Sequence, residues 1–182
     1  MMKKVLLFFA NGTEEIEALT VVDILRRAGA EVTVAGVGGK TLTGSHQIQI
    51  TADIDAAELA SFDYDMVVVP GGLPGTTHLD ESEIVDQALK AVSEKGGYLA
   101  AICAAPLVLG KRGYLIGKNA TCYPGFEAHL EGAKLPGKRV CVDGNVITGA
   151  GMGAALDFSL ALTAVLFGEE KATALRSAVI AD

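Results

Sequence analysis

Short runs of consecutive apolar residues alternate along this chain with longer segments whose apolar positions recur every three to four residues. The first kind reads as strands buried on both faces and the second as helices. Residues 5–9 (VLLFF) predict a buried strand, and 14–28 a helix closed by Gly29 just past its end. A second strand over 31–35 runs into the turn Gly36-Val-Gly-Gly39, and two extended pieces follow, around Leu42 and over 48–51, read as a hairpin. Residues 65–69 form the next central strand and lead into Pro70-Gly71-Gly72. Helical spacing returns over 81–95 (Ile84, Val85, Ala88, Leu89, Val92), then a strand over 98–102, then Pro106 in the first turn of a helix. Residues 140–142 and 146–148 flank the hairpin turn Asp143-Gly144-Asn145. Glycine-rich 149–153 precedes two last helical stretches, 154–167 and 169–179.

This β-α-β order implies right-handed crossovers and an α/β/α sandwich with a mostly parallel sheet. No repeat, low-complexity tract or linker interrupts it, so residues 1–182 are read as a single domain. Ligands of such sheets bind at the carboxyl ends of the strands. Four small-residue segments leave those ends: 10–17, 70–75, 103–106 and 149–153.

Composition narrows the function classes. The 22 acidic against 15 basic residues give a net charge of -7, with no basic cluster beyond short pairs, which counts against specific nucleic-acid binding. The longest nearly apolar run, 98–109, is shorter than the ~20 residues of a membrane span and contains Pro106. The apolar stretch 5–10 is too short for a secretion signal. Three cysteines, an odd number, suit a reducing compartment, and a cytoplasmic location is expected. No two cysteines share a metal-ligand spacing, so neither a metal nor another cofactor is expected.

Cys103 stands between a predicted strand and a helix opened by Pro106, among Ala100, Ala101, Ala104 and Ala105. Small neighbours allow a tight turn that projects a nucleophile, and a helix N-terminus favours a thiolate there. The pattern equally fits a small hydrophobe at the end of a buried strand. Cys122 and Cys141 read as core. Glu14 and Glu15 are expected only to complement the helix dipole. Glu17, one turn into a helix apolar round most of its circumference, is expected to be buried and protonated, and that helix to be covered by a second copy of the chain. His129-Leu-Glu131 lies in a charged stretch and reads as surface. The glycines of 71–72 and 149–153 lack Walker spacing and more simply allow close backbone approach, with the Gly72 amide free for an oxyanion.

Five segments, Gly12-Thr-Glu-Glu-Ile-Glu17, Arg26-Arg-Ala-Gly29, Val32-Thr-Val-Ala-Gly36, Val69-Pro-Gly-Gly72 and Ala100-Ala-Ile-Cys-Ala-Ala-Pro106, together resemble the ThiJ/PfpI superfamily, most of all the branch of the parkinsonism-associated protein deglycase and its bacterial relatives. The resemblance implies a flavodoxin-like, class I glutamine amidotransferase-like fold and a homodimer packed partly through the first helix. By position, it makes Cys103 the oxidation-prone nucleophile, Glu17 its hydrogen-bonding acid, and the amides of Gly72 and Ala104 the oxyanion site. Gly71, Tyr123, Arg27 and His46 are further pocket candidates. Tyr123 stands where the family often has His, and His46 where it often has Arg. Ala104 replaces the His that follows Cys in the peptidase branch, which counts against proteolysis.

The chemistry implied is thiolate attack on a reactive dicarbonyl, a small aldehyde or the early adduct on a glycated protein, giving a 2-hydroxy acid. A redox sensor using the same thiol, or a chaperone without turnover, are the competing readings.

Overall fold

The computed structural model describes residues 2–181. The chain begins with strand β1 (Lys4–Ala10), whose six residues after Lys4 are all buried. Helix α1 (Glu15–Ala28) returns along the sheet to β2 (Glu31–Val37), which pairs in parallel with β1 over its full length. Gly29 closes α1 in the left-handed region at φ 100°, as its position just past the apolar repeat predicts. β2 runs two residues beyond the predicted end because Gly36 continues the strand. A Cβ there would overlap the Gly39 carbonyl, so the turn can fold back tightly only on glycine.

The small hairpin β3 (Thr41–Thr43) and β4 (Gln49–Thr51) is antiparallel, as expected, and stands apart from the main sheet. β5 (Ile54–Asp55) adds a two-residue edge beside β2. The chain then crosses to the other side of β1 with β6 (Met66–Val69). Helix α2 (Gly75–Asp80) precedes α3 (Glu83–Glu94), where the sequence predicts only one helix. Its Gly-Thr-Thr opening has poor intrinsic propensity, and the helix is held by burial of Thr76 and Leu79. β7 (Tyr98–Ile102) has the predicted bounds, and α4 (Pro106–Lys111) starts on Pro106. The hairpin β8 (Val140–Asp143) and β9 (Val146–Gly149) leads into α5 (Ala155–Phe167) and α6 (Glu169–Ala178).

The main sheet has the order β5-β2-β1-β6-β7-β9-β8, parallel except for β8. One core layer joins Leu6, Phe8, Val67 and Leu99 of the sheet to Val85, Leu89 and Val108 of α3 and α4. The other joins Val5, Leu7, Phe9 and Val68 to Val21 and Leu25 of α1 and Phe158 and Leu162 of α5. This is the flavodoxin-like three-layer sandwich. β1 is the strand at which the order reverses, since the chain leaves it first towards β2 and later resumes on its other side at β6. A crevice opens at the carboxyl ends of strands flanking such a reversal. The loops after β1, β6 and β7 meet there.

Candidate functional site

Three neighbouring parallel strands each deliver one part of this site. β1 ends in the turn that starts α1 and brings Glu17, β6 ends in Gly71 and Gly72, and β7 ends in Cys103. Cys103 adopts φ 64°, a left-handed conformation that costs a non-glycine residue about 1 kcal/mol or more and marks a strained elbow. The neighbouring strand β9 and the loop at Tyr123 hold it there. The Cys103 amide donates to Gly149 O at 2.9 Å, and the Tyr123 amide donates to Cys103 O at 2.8 Å.

Glu17 is completely buried, as expected. Its Oε2 accepts from the Gly71 amide at 2.8 Å, while Oε1 has no hydrogen-bond partner. A Cβ built on Gly71 would lie 2.6 Å from both Cys103 Cβ and Glu17 Oε2, so only glycine fits between them. The amides of Ala104 and Gly72 both donate towards the Cys103 sulfur. Ala104 is buried and Cys103 half-buried.

Burial pushes the Glu17 carboxyl up to about 7, against the pull of Cys103 and the Gly71 amide. Burial first, and then the Glu17 charge, push the Cys103 thiol up to about 12, against the amides of Ala104 and Gly72. The help expected from a helix N-terminus is opposed here by burial and by the adjacent acid, and α4 is only six residues long. Two acids in contact release their protons as a pair. The charge of either raises the other's hold on its proton, so the pair resists losing both.

The other candidates spread out. Tyr123 is half exposed and packs on Gly151, whose Cβ would meet its ring at 3.2 Å. Arg27 stands three turns along α1 from Glu17, about 15 Å at 1.5 Å per residue, and pairs with Asp23 at 2.7 Å. The fold thus separates Arg27 from Cys103 within one chain. His46, on the tip of the β3–β4 hairpin, meets Glu15 and Glu14 rather than Cys103. The sequence reading missed what those two acids do. Glu14 caps α1 by accepting from the Glu17 amide at 2.8 Å, and Glu15 is buried under the hairpin. One ligand atom each from Glu14, Glu15 and His46 lie within 4.8 Å of one another.

Fold and site together define a class: a flavodoxin-like protein with a cysteine elbow facing a buried carboxyl at the sheet's reversal point. The DJ-1/PfpI family model matches residues 3–165, and the chain belongs to that family. It is 43% identical to protein dj-1beta of Drosophila melanogaster over 174 residues, covering 94% of this chain and 93% of that one. It is 31% identical to the glutathione-independent glyoxalase DJR-1.2 of Caenorhabditis elegans, covering 89% and 87%. The solved structure of oxidised DJ-1 from Toxoplasma gondii superposes with a TM-score of 0.92 at 35% identity, covering 98% of each chain.

Proposed function

We propose that the chain is a cysteine-dependent enzyme acting on reactive dicarbonyls or their early protein adducts, with Cys103 as nucleophile and Glu17 as proton carrier. The observation that carries the reading is the Cys103 elbow at φ 64°, set across Gly71 from the fully buried Glu17 carboxyl, with the amides of Gly72 and Ala104 directed at the sulfur. Those amides favour the arrangement with the negative charge on sulfur and the proton on Glu17. The Gly71 amide occupies Oε2, so the proton sits on Oε1, the oxygen without a partner. A family relative named as a glyoxalase supports the same chemistry.

The thiolate adds to the aldehyde carbon, and the carbonyl electron pair moves to oxygen, where the amides of Gly72 and Ala104 hold it and Glu17 protonates it. The Glu17 carboxylate then removes the hydrogen on that carbon as a proton, and the electron pair forms an enediol with the neighbouring ketone carbon as the ketone oxygen takes up a proton. Protonation of the former ketone carbon, with loss of the proton on the first hydroxyl, leaves a thioester. The thioester formed is hydrolysed, releasing the thiol and a 2-hydroxy acid. One water is added overall: the aldehyde carbon is oxidised, the ketone carbon reduced, and no external electron acceptor is consumed. Gly71 leaves the space in which the pair meets, and Tyr123 borders the opening. A homodimer through α1 completes the proposal.

A redox-sensing role is the second reading, favoured by the half-buried state of Cys103 beside the buried Cys122 and Cys141. Turnover of methylglyoxal by the purified protein separates the two. Conversion to lactate, reduced at least about a hundredfold in Cys103→Ser, is expected of the enzyme. Wild-type rates in that variant would remove Cys103 from the mechanism. No turnover, together with peroxide oxidation confined to Cys103, would leave the sensor.

A further inference from the structure

Away from Cys103, the first turn of α1 meets the β3–β4 hairpin in a second constellation. Glu15 is 3% exposed, and its Oε1 accepts from the amides of His46 at 2.8 Å and Ile48 at 3.4 Å. Its Oε2 faces His46 Nδ1 at 3.2 Å and the Ser45 hydroxyl at 3.2 Å. Glu14 is similarly divided. Oε2 accepts from the Glu17 amide, leaving Oε1 directed at the same His46 Nδ1 from 3.8 Å. Each carboxylate is therefore anchored to backbone through one oxygen and presents the other to a common point, where an imidazole nitrogen and a hydroxyl also converge. Two buried carboxylates in contact need a compensating positive charge. The one side chain meeting both among the described ion pairs is His46, whose Nδ1 lies between the two free carboxylate oxygens.

We propose that Glu14, Glu15 and His46 form a binding site for a divalent transition-metal ion of the zinc type, with Ser45 at its rim. One imidazole nitrogen and two carboxylate oxygens are a ligand set that zinc accepts. A tetrahedral ion about 2.1 Å from each ligand holds them roughly 3.4 Å apart. The separations of 3.2 and 3.8 Å from His46 Nδ1 need only small side-chain adjustment. His46 binds through Nδ1 as the neutral imidazole with its proton on Nε2, so its side chain, 72% exposed, leaves the outer coordination positions open to water. The expectation of no metal rested on cysteine spacing, and this set contains no cysteine. Glu15 and His46 are separated by 31 residues and meet through the hairpin.

Zinc titration by calorimetry at pH 7.5 tests this in Cys103→Ser protein, which removes the reactive thiol as a ligand. One ion bound per chain at micromolar affinity is expected, with binding weakened at least tenfold by His46→Ala. Glu14→Gln, which keeps an oxygen acceptor for the α1 cap, is expected to weaken binding as well. Zinc should raise the melting temperature of the parent and not of His46→Ala. Absence of stoichiometric binding, or binding unchanged by His46→Ala, overturns the site.

Discussion

Glu17 is a buried acid whose proton the fold holds well above the usual carboxylate range, and that has a cost with a definite sign. Its carboxyl is raised from 4.5 to about 7 on folding, so between these values the folded chain holds a proton that the unfolded chain releases. The unfolded state binds fewer protons over that window, and stability falls as pH rises through it, by up to roughly 3 kcal/mol. Glu17→Gln has no such proton to lose. Its stability relative to wild type should therefore grow between pH 5 and pH 8 in urea titrations. An equal difference at both pH values would mean that Glu17 is ionised throughout. Burial of Glu17 was legible from the apolar residues around it in α1. Its contact with Cys103 was not written in any local pattern and came only through resemblance, because it depends on three strands ending side by side.

At the scale of elements, legibility followed the strength of the periodic signal. β7 was readable to the residue because five consecutive small or apolar positions stand between Gly97 and the turn at Cys103. α2 was not, since its opening residues favour turns and only packing against β1 and α3 makes it helical. The β3–β4 hairpin was predicted, but not its docking onto α1. Gly44 makes that docking possible, because a Cβ there would overlap the Glu15 carboxyl that holds the hairpin tip. Gly44→Ala should destabilise the protein by about 2 kcal/mol through loss of these buried hydrogen bonds. Combined with Glu15→Ala, it should add much less than its own effect, because both changes break one contact. Strict additivity in denaturant titrations would show that the hairpin does not depend on Glu15.

For the whole molecule, the outer face of α1 is the feature that a single copy leaves unexplained. Ile16 and Leu19 are 50% and 43% exposed, and with Ile48 and Val179 they line a groove of about 620 Å³. Among the described residues no helix is long and apolar enough to cross a membrane. A second copy meeting it through the same face buries it on both chains. Sedimentation at 10 µM should find a dimer that Leu19→Glu converts to monomer; a wild-type monomer at that concentration would refute the interface. The sheet order carries one more consequence. Glu17, Gly72 and Cys103 have all been synthesised before the last third of the chain exists, yet the carbonyl that holds the Cys103 amide belongs to Gly149, on a strand that pairs with β7 only near the end. On the ribosome, where folding proceeds from the N-terminus, the nascent chain therefore carries Cys103 before the carbonyl that receives its amide has been made. That carbonyl arrives only with β9, so this left-handed elbow is completed by the last strand of the sheet to be made.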